Sequence, residues 1–301
     1  MSQALTLRGV YIPLITPFAA DDSVDLDAVT SLCHEYLDAG ATGIVALGTT
    51  GESSALTAAE KRAVVDACSA VCVPRDAALI VGAGTNSTAT TVEAVRSLAD
   101  VPGLSGVLIV VPYYVRPSEA GIVAHFRAVA DASPVPVVLY NIAIRTGRNI
   151  SAASVLEAAT HPNIAGIKQA AAGLDLDTLE LLRSAPDDFA VMGGEDPFLF
   201  PIMLMGGAGA ICASAHVCTE QFVSMIECGL AGKVEEGRAQ AEALLPVVQA
   251  CFAEPNPAVF KGVLHAQGRI PTPDVRMPLT NASTAAIDAA LAAIATVATV
   301  R

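Results

Sequence analysis

Val137-Val138-Leu139-Tyr140, then an alanine-rich segment of helical period, then Ile164-Ala165-Gly166-Ile167-Lys168, make one complete unit of this chain. Neither apolar run alternates polar with apolar residues, so each reads as a strand covered on both faces. A stretch long enough for a crossover helix separates them, which predicts a parallel pair. Working outward, the same pattern recurs at Val10–Ile15, Gly43–Leu47, Leu79–Val81, Val107–Val111, Phe189–Met192 and Ala210–Ala213. Eight such runs interleaved with helical segments predict an α/β chain closed into a (β/α)8 TIM barrel, with a doubly wound sheet as the competing arrangement. Helix signals agree: Asp25 or Asp27 precedes the segment 26–39, Gly40 ends it, and Thr57 with Glu60 forms a capping box. After Thr219 only helical pattern follows, so the expected division is a barrel over 1–225 and a C-terminal helical layer over 226–301.

The totals restrict the function. A formal charge of −13 over 301 residues and a pI near 4.7 exclude an electrostatic nucleic-acid binder, because nothing would displace phosphate counterions. Seven cysteines form no CxxC pair and no metal spacing with the five histidines. Cys68 and Cys72 share a helix face but lack a second ligand pair, so no metal site is expected. Scattered thiols and an N-terminus without signal-peptide order point to the cytoplasm. The uncharged stretch from Pro197 to Thr219 contains Pro201 and Gly206, Gly207 and Gly209, and reads as helix, turn and buried strand instead of a membrane span.

In a barrel of this kind the chemistry sits where the strands end. The second run ends in Gly48-Thr49-Thr50-Gly51-Glu52, two hydroxyls and free backbone N–H groups at a tight turn, suited to a carboxylate or simply to capping. The fourth leads into Pro112-Tyr113-Tyr114, and the fifth into Tyr140-Asn141 with Arg145-Thr146-Gly147. Tyrosines commonly cap barrel mouths, but a phenol hydrogen-bonded through a threonine hydroxyl can also shuttle protons. Arg145 offers a bidentate grip on a carboxylate. The sixth run ends in Lys168, one of only four lysines. Lysines in apolar surroundings lose hydration, which disfavours the ammonium and leaves an amine able to attack a carbonyl; the plain alternative is a buried lysine paired with a carboxylate. Glu195-Asp196 after the seventh run would repel a phosphate, and no Walker lysine or complete dinucleotide fingerprint exists. His125 and His216 read as packing or surface residues.

Taken in order, Gly48-Thr49-Thr50-Gly51-Glu52-Ser53, Pro112-Tyr113-Tyr114 with Arg116-Pro117, Tyr140-Asn141 with Arg145-Thr146-Gly147, and Gly166-Ile167-Lys168 closely resemble the dihydrodipicolinate synthase and N-acetylneuraminate lyase family from about residue 8 to 281. The resemblance implies a Schiff-base enzyme whose covalent centre is a Lys168–pyruvate imine, with no separate cofactor and no metal. It implies that Thr49 and Thr50 hold the pyruvate carboxylate, that Tyr140 is the acid/base, and that Gly194 and Ile211 belong to the substrate-binding wall. By the same carry-over Thr49 links Tyr140 to Tyr114, and Tyr114 reaches a neighbouring subunit in a homotetramer built of dimers. Arg145 in its Arg-Thr-Gly setting looks like the synthase branch, which condenses pyruvate with L-aspartate 4-semialdehyde. Small molecules are then the partners, with neither nucleic acid nor membrane.

Several positions depart from that branch. Ala143 replaces a usual proline, Val115 a frequent asparagine, and Gly193-Gly194-Glu195-Asp196 stands for Ser-Gly-Asp-Asp. They leave open an aldolase or dehydratase acting on a 2-keto-3-deoxy sugar acid, and a catalytically silent barrel that binds a 2-keto acid. The family's allosteric lysine site looks incomplete, with Ala58, Lys61 and Thr90 at its polar or carboxylate positions.

Overall fold

A computed structural model describes residue 5 and residues 7–297. Eight strands, β1 (Gly9–Pro13), β2 (Gly43–Ala46), β3 (Ala78–Gly82), β4 (Leu104–Val110), β5 (Val137–Asn141), β6 (Ile164–Gln169), β7 (Ala190–Gly193) and β8 (Gly209–Ile211), pair in sequence order. All pairs are parallel, and β8 closes onto β1 through Gly9 opposite Gly209, so the sheet is a closed barrel and not a doubly wound sheet. Each strand lies within two or three residues of an apolar run in the sequence.

The absence of alternation has its cause in two distinct cores. Tyr11, Val45, Ile80, Leu108, Val138, Tyr140, Met192 and Ile211 point inward and pack with one another inside the barrel. Their neighbours one residue away, such as Ile12, Ile44, Val81, Ile109, Leu139 and Ile167, face outward into the layer of helices. A side-chain period of two therefore gives apolar residues on both faces, and the strand reads as a continuous apolar run.

The helices that cover the barrel begin where their caps predict. Helix α1 (Leu26–Asp38) is capped by the Asp25 carboxylate, which accepts from the Ala28 N–H at 2.9 Å. Gly40 takes φ +94° just beyond its end, a conformation a side chain would strain. Helix α2 (Ala58–Cys72) carries the full Thr57–Glu60 capping box. Around the barrel follow α3 (Thr88–Arg96), α4 (Glu119–Ala132), a single turn α5 (Ala143–Thr146), α6 (Ala152–Ala159), α7 (Leu176–Ser184), α8 (Leu199–Leu204) and α9 (Thr219–Leu230). Then α10 (Val234–Cys251), α11 (Ala258–Ala266) and α12 (Thr284–Val297) form the C-terminal layer. Position 225 lies inside α9. The segment from 197 to 219 resolves into α8, a turn at Gly206 and β8, and among the described residues no helix is long and apolar enough to cross a membrane.

Cys68 and Cys72 lie on one face of α2, as their spacing requires, and Cys33 Sγ approaches Cys68 Sγ at 3.8 Å. All seven thiols are free and buried. Burial pushes Cys72 up to about 12, which keeps it a protonated packing group.

Candidate active site

Parallel register brings the first pair together. Tyr140 of β5 stands opposite Lys168 of β6, both pointing into the mouth of the barrel. Lys168 is 7% exposed, and its Nζ lies 4.5 Å from the centroid of the Tyr140 ring. Among the described residues Lys168 makes no salt bridge, whereas Lys261, the other buried lysine, is ion-paired at 2.8 Å. The nearby Asp196 carboxyl is raised above its ordinary range by burial, while hydrogen bonding from Ser214 and the charge of Lys168 pull it down.

Gly194 follows β7 and is fixed by its N–H, which donates to Gln169 O at 2.8 Å. A Cβ placed there would stand 2.7 Å from Lys168 Cγ and 2.8 Å from Cε. Glycine at 194 thus leaves the volume that the lysine stem fills. Ile211 is fully buried in the inner core of the barrel, as a wall beneath the site.

The turn after β2 forms one 3-10 turn over Thr49–Gly51 and a second over Ser53–Ala55 before the cap of α2, so it does not open the helix directly. The N–H groups at the start of such a turn have no acceptor within it. Thr50 is buried and Thr49 exposed. Glu52, which the sequence groups with the anion-binding turn, takes φ +50° and points the other way. Its side chain is 1% exposed, and its two oxygens accept from Lys261 Nζ at 2.8 Å and from the Arg276 N–H at 2.8 Å.

A cavity of about 350 Å³ has a wall that includes Thr49, Tyr140, Arg145 and Lys61; Lys168, Thr50, Gly194 and Ile211 are not among the described residues that line it. Its two charged lining residues, Lys61 and Arg145, are both cations. Arg145 lies on α5 and makes no salt bridge among the described residues, leaving its guanidinium for an anionic guest. A second cavity of about 510 Å³ shares Lys61 and Ser53 with the first and is lined by Ala58 and Thr90; among the described residues no carboxylate lines it.

Tyr114 is not part of this wall. It is 86% exposed, held at φ +70° with its N–H donating to Thr146 O at 3.3 Å. Tyr113, Val115 and Ile144 are exposed in the same two loops. His216 and His125 are buried packing groups: His216 packs edge-on to Tyr36 at 5.2 Å, and His125 Nδ1 is 2.9 Å from Thr88 Oγ1. Among the described residues no group of three or more His, Cys, Asp or Glu side chains could hold a metal.

A model of the dihydrodipicolinate synthetase family matches residues 6–297. The chain belongs to that family. It is 42% identical over 274 residues to 4-hydroxy-tetrahydrodipicolinate synthase of Moorella thermoacetica, covering 91% of this chain and 92% of the relative. A crystal structure of dihydrodipicolinate synthase from Thermotoga maritima superposes with a TM-score of 0.93 at 30% identity, covering 98% of this chain and 99% of that one. Another solved structure, described as the first monomeric dihydrodipicolinate synthase variant, matches at TM-score 0.93 and 30% identity over 97% of each chain. The dihydrodipicolinate synthase family uses a lysine–pyruvate Schiff base and no external cofactor.

Two features of the site were invisible in the sequence. Asn256 donates from Nδ2 to Thr50 Oγ1 at 3.0 Å across 206 positions of sequence. The buried Glu52–Lys261 pair spans 209. Two chemically matched residues at such separation carry no local signal.

Proposed function

We propose that this protein is a 4-hydroxy-tetrahydrodipicolinate synthase, condensing pyruvate with L-aspartate 4-semialdehyde through a lysine imine. The observation that carries the assignment is the contrast between the two buried lysines. Lys261 has the carboxylate partner a structural lysine needs; Lys168 has an aromatic ring, a glycine and the mouth of the barrel. In this reading the Lys168 amine attacks C2 of pyruvate, and the carbonyl oxygen leaves as water. Tyr140, stacked beside Nζ, moves the proton that this loss requires. Loss of a methyl proton turns the imine into an enamine, which attacks the aldehyde of the second substrate; the acceptor's amine then closes on the imine carbon and frees the lysine.

Thr50 and Thr49 supply hydroxyls and unshared N–H groups for the pyruvate carboxylate, with Gly194 and Ile211 shaping the wall. Arg145 takes the carboxylate of the acceptor. The cationic lining of the cavity supports an acceptor that carries its own carboxylate. A 2-keto-3-deoxy sugar acid meets the same imine and is the competing substrate.

Tyr114 completes the site in a neighbouring subunit. An 86% exposed tyrosine beside exposed Tyr113, Val115 and Ile144 forms an apolar patch of the kind that subunit contacts cover. The pairing of two such dimers into a tetramer, the cytoplasmic location, and a catalytic barrel over 1–225 followed by a helical layer from 226 belong to the same reading.

The test is intact mass after borohydride reduction with pyruvate, followed by turnover with aspartate semialdehyde and with 2-keto-3-deoxy acids. The expected result is a pyruvyl adduct on Lys168, absent in Lys168→Arg, with semialdehyde turnover. An adduct in the arginine variant removes Lys168 from its role; an adduct with turnover of only the deoxy acids moves the substrate.

A further inference from the structure

We infer that Asn256, on the C-terminal layer, is a positioning residue for substrate carboxylate binding, acting through the Thr50 hydroxyl; the inference rests on the function proposed above. Thr50 Oγ1 has one proton to donate and lone pairs to accept with. Asn256 Nδ2 donates to it at 3.0 Å, so the Asn256 contact occupies a lone pair and leaves the hydroxyl proton for an anionic guest. Were the amide reversed, its oxygen would take that proton and Thr50 would present a lone pair to the carboxylate, which repels it. The orientation of one side-chain amide on a distant segment thus decides whether Thr50 is a donor or an acceptor.

The segment bearing Asn256 is itself pinned to the same turn. Two residues beyond Thr50, Glu52 accepts from Lys261 Nζ and from the Arg276 N–H. The Lys261 ammonium lies 3.9 Å from the centroid of the Phe18 ring, and the Arg276 guanidinium 4.4 Å from it. Arg276 also bonds Glu60 at the capping box of α2. Residues 256, 261 and 276 therefore grip the turn at Thr50 and Glu52 and the helix that follows it. The appended layer is part of the site through this grip, although none of its described side chains lines the 350 Å³ cavity.

The experiment compares Asn256→Ala, Asn256→Asp and Asn256→His in the full-length protein, reading KM for pyruvate, KM for the acceptor and kcat separately, with thermal midpoint as a check on folding. Asn256→Asp has nearly the shape of asparagine but can only accept from Thr50. It is expected to raise pyruvate KM more than tenfold, and the alanine variant roughly tenfold, the scale of one hydrogen bond to a charged group. Acceptor KM should stay within twofold. Asn256→His, which keeps an N–H donor, should recover part of the pyruvate affinity. Pyruvate KM unchanged in the aspartate variant, or both KM values rising together, would overturn the inference. Loss of the pyruvyl adduct in the wild-type protein would instead refute the proposed function, and that is read first.

Discussion

Replacing Gly194 by alanine should separate catalysis from stability. The new Cβ would stand 2.7 Å from Lys168 Cγ, 2.8 Å from Cε and 3.2 Å from Ala170 Cβ. Carbon atoms settle at about 3.5–4.0 Å, so the lysine stem must retreat by about 1 Å. Gly194 has no left-handed backbone, and alanine adopts its conformation freely. The cost to the fold is an off-rotamer lysine, about 0.5–1.5 kcal/mol. Lost chain freedom in the unfolded state offsets about 0.4–1 kcal/mol of it. The net change in stability is therefore near zero. The amine, however, leaves its place beside Tyr140, and a misplacement of about 1 Å costs about 100-fold in rate. Stopped-time borohydride trapping with pyruvate, followed by intact mass, measures the rate of imine formation directly, and a thermal melt measures the rest. The expected outcome is adduct formation slowed by about two orders of magnitude with the midpoint nearly unmoved. Trapping at the wild-type rate would refute the claim that the empty space at 194 sets the position of the nucleophile.

Two further outcomes follow from the same coordinates. Lys261→Met leaves the Glu52 carboxylate buried with only a backbone N–H partner, and should cost about 3–5 kcal/mol in urea melts. The double variant Glu52→Gln/Lys261→Met should recover most of that loss, and equal losses in the two would show that the charge pair is not the cause. Stability should also fall between pH 7.5 and 5.5. Burial pulls His216 down to about 3 and His125 to about 4, so both stay neutral in the fold while the unfolded chain takes up protons below its ordinary value near 6.5. The unfolded state then binds more protons, and each histidine loses about 1.4 kcal/mol by pH 5.5, above the range where carboxylates titrate. A flat stability between those pH values would contradict this, and His125→Gln should halve the slope.

The barrel was legible because its logic is local. A parallel strand covered on both faces writes itself as an apolar run, and the cap residues Asp25, Thr57 and Glu60 write the helix starts within four residues of their targets. The rim positions were legible for a related reason. Strand ends are fixed once strands are, so Lys168, Tyr140 and Thr49 fall at the ends of their strands. The extent of the strands was less so: Leu14 and Ile15 continue the first run but lie beyond β1, where the Leu14 N–H still donates to Val45 O at 3.0 Å and the Ile15 N–H turns to His216 Nε2 at 3.2 Å.

What the sequence hid is the second covering of the turn after β2. Glu52 follows two hydroxyl residues at a tight turn, and chemistry alone assigns such a carboxylate to the cavity or to solvent. Only the closure of the chain by α11 decides otherwise, since a carboxylate 1% exposed is tolerated where an ammonium 2.8 Å away and a backbone N–H together replace water. The same closure buries Lys261 as the partner of Glu52. The two buried lysines are alike in composition and differ in their surroundings. The difference lies in what stands within one hydrogen bond of each Nζ, a property of the folded chain that no window of sequence contains. That is also why the contrast between them bears on function: Lys261 is ion-paired with Glu52 at 2.8 Å, and among the described residues Lys168 has no such ion pair.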